Sequence, residues 1–215
     1  VFLEASTLAS AVLVYHPRTQ ASLEATWKYL FICSLGIFFA FLGILLLAAG
    51  SGGGSSLFFS ELTAKAPGFS RSYLLLAYVF LTVGFATKMG LAPVHNWLPD
   101  AHSEAPAPVS ALLSGALLNT AFLALVRVYK LAVVAGIGRY AALLLFTMGF
   151  LSLFVSAVFI LRTRHYKRML AYSSIEHMGI LAIGLACGGA GVAAAFLHLV
   201  GHSLAKASFF LTAGA

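Results

Sequence analysis

A chain of 215 residues that is 61% apolar and only 9% charged, with a mean hydropathy of +0.98, is excluded from the soluble proteins, because its surface would be one continuous apolar patch. It reads as an all-α integral membrane protein. The formal net charge of +7 does not point to nucleic acid, since the basic residues sit at helix ends and in short loops, as orienting charges do.

At about 20 apolar residues per crossing, the pattern predicts about seven transmembrane helices in one domain. The first, Val1 to Tyr15, is partial and carries Glu4, and the turn His16, Pro17, Arg18 ends it. Ala21 to Lys28 leads into a second span, about Tyr29 to Ala49, which is uncharged. GSGGGSS follows, too flexible to stay helical, so Gly50 to Arg71 reads as the longest external loop, with a short surface helix around Leu57 to Ala64. The third span is Ser72 to about Gly90. The fourth begins near Ala105, with Pro106 and Pro108 tolerated in a first turn, and runs to about Arg127 through Ser110, Ser114 and Asn119. The fifth, Tyr140 to Leu161, is uncharged. The basic turn RTRHYKR, Arg162 to Arg168, leads into the sixth span, Met169 to Cys187, with Glu176 and His177 at its middle. Gly188, Gly189 and Gly191 separate it from the seventh, Val192 onward, which carries His198, His202 and Lys206.

Alternating loops collect Arg18, Lys28, Arg162, Arg164, Lys167 and Arg168 on one side and Lys65, Arg71, Arg127, Lys130 and Arg139 on the other. The dense Arg162 to Arg168 turn is the strongest short-loop signal and places its side in the cytoplasm. Cys33 and Cys187 have no CxxC or Cys/His metal spacing and read as buried thiols. The chain starts without Met or a basic leader and stops inside an apolar run, so the expectation is a segment of a longer membrane protein, cut at both ends.

The stretch from Lys88 to Pro108, KMGLAPVHNWLPDAHSEAPAP, holds four of the six prolines. Pro93 has no N–H for the carbonyl of Met89 and disfavours helical geometry at Ala92, so the helix breaks just past Lys88, with Gly90 easing the break. Val94 to Leu98 is expected to re-form a short half-helix. In lipid an opened backbone survives only where protein or a water-filled cavity covers it. An ionisable residue beside a broken helix is therefore a transport-site candidate.

Glu4, Lys88, Glu176, His177, His198, His202 and Lys206 all fall inside predicted spans, where a Lys or Asp costs roughly 2.5 to 3.5 kcal/mol at mid-membrane. His198, His202 and Lys206 recur every four residues and drift only about 40° per step, which puts them on one helical stripe. A stripe that combines imidazoles, which titrate near neutral pH, with a buried lysine suits a proton path. Any one of these residues alone is as readily a hydrogen-bonded packing group; the agreement of broken helix and stripe favours function. Asp100 and Glu104 are expected to cap the fourth helix. His198 and His202 have HxxxH spacing without the Glu of a metalloprotease helix, and no GxGxxG, Walker A or nucleophile elbow is present, so no metal or other cofactor is expected.

ATKMGLAPVHNWLPDAHSEAPAPVSALLSG, RMLAYSSIEHMG and LVGHSLAKASFFL resemble the antiporter-like, proton-translocating membrane subunits of respiratory complex I, energy-converting hydrogenases and multisubunit cation/proton antiporters. SLEATWKYLFICSLGIFFAFLG and the Glu176-His177 pair look most like hydrogenase-4 component F. The resemblance implies an inverted-repeat fold, with most of the first repeat in about 1–130 and the start of the second in about 138–215. It implies that Glu4 pairs with the broken-helix lysine Lys88, that His177 and His202 lie on a central hydrophilic axis, and that Lys206 lies in a half-channel or connecting site. Asn119 stands where many complex I relatives have lysine, so the link from Lys88 to His177 would need water, with Ser110, Ser114 or Tyr172 as helpers; Glu176, His198, Asn119 and Tyr172 are the candidate relay residues.

The implied function is a redox-driven proton pump module with no redox centre of its own, partnered by other membrane subunits of a hydrogenase or NADH dehydrogenase complex in a prokaryotic plasma membrane. Weakening the Glu4–Lys88 pair would release the lysine's proton toward the axis. A Na⁺/H⁺ antiporter subunit and a structural subunit without conduction are the alternatives.

Overall fold

The computed structural model describes residues 2–52 and 57–214. Part of the glycine-serine loop, residues 53–56, lies outside the described residues. Ten α-helices follow one another: α1 (Phe2–Val14), α2 (Gln20–Gly50), α3 (Phe59–Lys65), α4 (Arg71–Met89), α5 (Trp97–Glu104), α6 (Ala107–Leu112), α7 (Leu118–Val134), α8 (Gly138–Arg162), α9 (Tyr166–Cys187) and α10 (Gly189–Thr212). A π-turn, Leu113–Leu117, joins α6 to α7 in one long rod. Among the described residues six helices are long and apolar enough to cross a membrane, and α1 is a shorter apolar helix. The surface helix of the long loop is α3.

α2 begins at Gln20, well before its uncharged part, because Thr19 and Ser22 cap it reciprocally: each side chain meets the other's backbone N–H, at 3.0 and 2.9 Å. α2 and α4 then pack backbone to backbone. A Cβ on Gly84 would stand 2.6 Å from both the Ala40 nitrogen and the Gly36 carbonyl oxygen, the small-residue contact by which membrane helices associate. α8 and α9 do the same at Gly149 and Gly179. α10 is different: Leu197, Val200 and Leu204 turn outward, while its opposite face buries His202, Lys206 and Phe210.

The helix break falls where Gly90 and Pro93 predict. Gly90 adopts the left-handed conformation at φ 78°, and Leu91 N–H reaches back to the Ala86 carbonyl at 2.9 Å, a glycine-capped helix end. The opened backbone is covered by protein. Ala92 N–H donates to the Ser152 hydroxyl at 2.8 Å, and the Trp97 indole N–H donates to the Thr87 carbonyl at 2.8 Å.

The half-helix differs from the expected Val94 to Leu98. It is α5, starting at Trp97 and running to Glu104, because Pro99 fits the first turn, where its missing N–H is no loss. Asp100 and Glu104 do not cap the next helix, whose N-cap is Pro106 with no side-chain bond. Asp100 instead pairs with Lys28 of α2 at 3.0 Å and with Arg168 of α9, while Lys167 donates to the Ser103 and Ala105 carbonyls at the end of α5. α5 is thus clasped between two helices. Cys33 is buried as expected, but Cys187, at the last turn of α9, is exposed.

Candidate functional site

Two polar clusters lie inside this apolar bundle. The first surrounds Lys88, which is 1% exposed and sits one residue before the end of α4. Its ammonium donates to the Thr7 hydroxyl at 2.7 Å and to the Tyr29 hydroxyl at 2.9 Å, and it lies 4.9 Å from the centre of the Tyr29 ring. Tyr29 OH also shares a hydrogen bond with the Ser10 hydroxyl at 2.6 Å. Glu4, Thr7 and Ser10 fall three residues apart along α1, so all reach the same side of that helix.

Among the described residues, Glu4 and Lys88 do not form the direct pair that the resemblance implies. Among the described residues they make no ion pair; the Glu4 Oε1 instead accepts the Ser34 hydroxyl at 2.7 Å. The Oε2 atom is buried without a hydrogen-bond partner. Thr7, one turn further along α1, takes the position next to the ammonium.

The second cluster brings α9, α10 and the π-turn together. His177 Nδ1 and His198 Nε2 are 2.9 Å apart, sharing one hydrogen, and the His177 and His202 rings are 5.2 Å apart. His202, 3% exposed, directs Nε2 at the Ser114 carbonyl, 3.3 Å away. A carbonyl only accepts, so Nε2 carries the hydrogen and the Nδ1 lone pair is left without a partner. Lys206, 2% exposed, donates to the Leu170 carbonyl at 3.0 Å. That carbonyl also accepts the Ser174 hydroxyl at 3.0 Å, which in turn meets the Ser114 hydroxyl at 2.9 Å. The stripe predicted on α10 therefore turns toward the bundle, with His202 and Lys206 tied through Ser114 and Ser174 and His198 tied to His177.

The π-turn is the feature that admits it. Leu118 N–H reaches back to the Leu113 carbonyl, the wide spacing that recurs at functional sites, and within this turn Ser114 and Gly115 give their carbonyls to His202 and Asn119.

The other relay candidates differ. Asn119 Nδ2 donates to the Gly115 carbonyl at 2.7 Å and also meets the Ser203 hydroxyl, which ties α7 to α10; its Oδ1 is buried and unpartnered. Ser110 donates to the His102 carbonyl at 3.0 Å. Among the described residues Glu176 makes no hydrogen bond or ion pair, and Tyr172 stacks on Phe159 with ring centres 5.0 Å apart and makes no hydrogen bond. No hydrogen bond among the described residues joins the Lys88 cluster to the histidine cluster. Thr7, Ser10, Tyr29 and Ser174 are site residues that sequence reasoning missed; the spacing of Thr7 and Ser10 from Glu4 was the available signal for the first two.

Residues 1–215 match a protein family described as NADH:quinone oxidoreductase/Mrp antiporter, TM. The chain is 38% identical, over 220 residues, to the hydrogenase-4 component F homolog of Methylacidiphilum infernorum (isolate V4), an alignment that covers 100% of this chain and 46% of that protein. Among solved structures it is similar to a chain of the membrane-bound sulfane sulfur reductase, an archaeal respiratory membrane complex, with a TM-score of 0.92 and 26% identity over 99% of this chain and 43% of that one. A chain of the Mrp complex from Dietzia sp. DQ12-45-1b shares the fold, with a TM-score of 0.86 and 21% identity over 99% of this chain and 40% of that one. The chain thus spans less than half the length of each of these relatives.

Proposed function

Because the chain belongs to the NADH:quinone oxidoreductase/Mrp antiporter transmembrane family, we propose that it is a proton-translocating membrane subunit of a redox-driven ion pump, of the hydrogenase-4 or NADH:quinone oxidoreductase kind. Its partners are then other membrane subunits of that complex and the lipid of a prokaryotic plasma membrane, with the Arg162–Arg168 turn in the cytoplasm. Residues to about 130 form most of one helical repeat and those from about 138 begin the next, with Gly136 at positive φ between α7 and α8.

The observation that carries the reading is the set of partners around Lys88. Thr7 and Tyr29 hold it through hydroxyls, and a hydroxyl both accepts and donates. Their own hydrogens are engaged elsewhere, Thr7 with the Leu3 carbonyl at 2.9 Å and Tyr29 with the Ser10 hydroxyl, so both oxygens accept; a neutral amine keeps two N–H groups to give them, and the lysine keeps its place in either protonation state. A carboxylate partner would favour the ammonium alone. Glu4, on the same side of α1 as Thr7, supplies the charge that biases the lysine; a change in that charge from a neighbouring subunit would release the proton. The histidines offer the next carriers, with the unpartnered Nδ1 of His202 as a receiving lone pair and the His177–His198 pair as a shared-proton bridge. Lys206 then passes the proton on.

The test is proton uptake into vesicles that hold the full complex, comparing wild type with Lys88→Met while assaying hydrogenase and NADH:quinone activity. Redox-linked uptake lost in the variant supports the reading; unchanged uptake overturns it in favour of a structural subunit. A second reading, a Na⁺/H⁺ antiporter subunit, is favoured by the Mrp half of the family description. Its outcome is Na⁺-dependent proton movement with no redox activity.

A further inference from the structure

His102 belongs to neither cluster, yet it is 0% exposed and neither of its ring nitrogens has a hydrogen-bond partner among the described residues. Leaving a polar group unmet in the interior costs about 1–3 kcal/mol, and a side chain that only fills space gains nothing from two such atoms. The ring lies flat against Phe210 of α10, with centres 4.8 Å apart and planes at 16°, and Phe210 is one helical turn beyond Lys206. The Ser110 hydroxyl anchors the His102 carbonyl. Lys167 ties down the end of α5. Phe210 packs with Leu170, whose carbonyl holds Lys206, and Lys167 bonds the Ser103 carbonyl, next to His102 in the chain. On α9, Lys167 belongs to the basic turn, and Leu170, whose carbonyl holds Lys206, follows it by about one helical turn. His102 therefore stands among the groups that separate Lys206 from the protein face bearing the basic turn.

We propose that His102 is a proton-carrying residue that connects Lys206 with the face at the Arg162–Arg168 turn, an inference that rests on the proton-translocating reading above. In the step, an N–H bond of the Lys206 ammonium breaks and an N–H bond forms at a His102 ring nitrogen. The positive charge moves with the proton, and no electron is transferred. A neutral imidazole carries one lone pair and one N–H, and among the described residues no protein group occupies either.

The test uses the assembled complex in vesicles. His102→Phe keeps the flat contact with Phe210, removes both nitrogens and breaks no protein hydrogen bond; His102→Gln keeps a polar group but loses the titrating one. Proton uptake per redox turnover is expected to fall at least tenfold in both variants while the complex still assembles. Wild-type uptake in His102→Phe alongside silence in Lys88→Met overturns this inference and leaves the transport reading standing, whereas uptake retained in Lys88→Met overturns the transport reading itself. Failure of both His102 variants to assemble also counts against the proposal, because it makes the ring a packing element.

Discussion

The two buried lysines are held in contrasting ways. Lys88, on α4, is held by hydroxyls of α1 and α2, of which α2 touches α4 through glycine, whereas Lys206 donates to a backbone carbonyl from α10, a helix whose other face is open. A neutral amine keeps two N–H groups, so hydroxyl and carbonyl acceptors alike can hold a lysine in either protonation state. The sites differ in what can titrate beside them: His198 and His202 share the α10 stripe with Lys206, whereas hydroxyls touch the Lys88 ammonium. Rigid packing at one site and a polar network at the other are two ways of stabilising a buried titratable group.

That difference can be broken at either end. The largest effect is expected from Gly84→Leu, whose side chain has no room against the α2 backbone; overpacking of this kind costs typically about 1–3 kcal/mol and occasionally more, so the assembled protein should be lost or its Tm lowered sharply, whereas a normal Tm would show that α2 and α4 are not rigidly joined. Thr7→Val comes next. It removes one oxygen from the Lys88 ammonium and leaves a buried donor short, worth about 1–3 kcal/mol, and should slow proton uptake about tenfold with assembly retained. Ser174→Ala cuts the bridge between Ser114 and the Leu170 carbonyl; with about 1 kcal/mol at stake, uptake should drop only several-fold, and a complete loss would mean that this hydroxyl itself carries the proton. Tyr172→Phe should change neither uptake nor stability measurably, since the ring only stacks on Phe159.

Much of this was legible in the sequence because membrane insertion imposes coarse rules. Apolar length marked the spans, Gly90 and Pro93 marked the break, and the four-residue spacing of His198, His202 and Lys206 marked a face that is indeed turned inward. Contacts between helices were not legible. Ser114 and Ser174 meet from segments 60 residues apart, and nothing in either local sequence names the other. The Lys88 partners were obscured for another reason: the resemblance implied Glu4 as the pairing group, and Thr7, a turn away, takes that place. Asp100 looked like a helix cap by position, but three-dimensional proximity to Lys28 and Arg168 decides its role. The π-turn at Leu113–Leu117 had no sequence signal at all, since LSGAL is compatible with an ordinary helix.

The account stands on Lys88 and His202 being stations of one path despite the lack of a hydrogen bond between their clusters. The most direct measurement is proton uptake per redox turnover in Lys88→Met, His202→Ala and the double variant, each in the assembled complex. Both single variants should lose more than tenfold, with the double variant no worse than either, as expected for steps in series. Wild-type uptake in either single variant would contradict it.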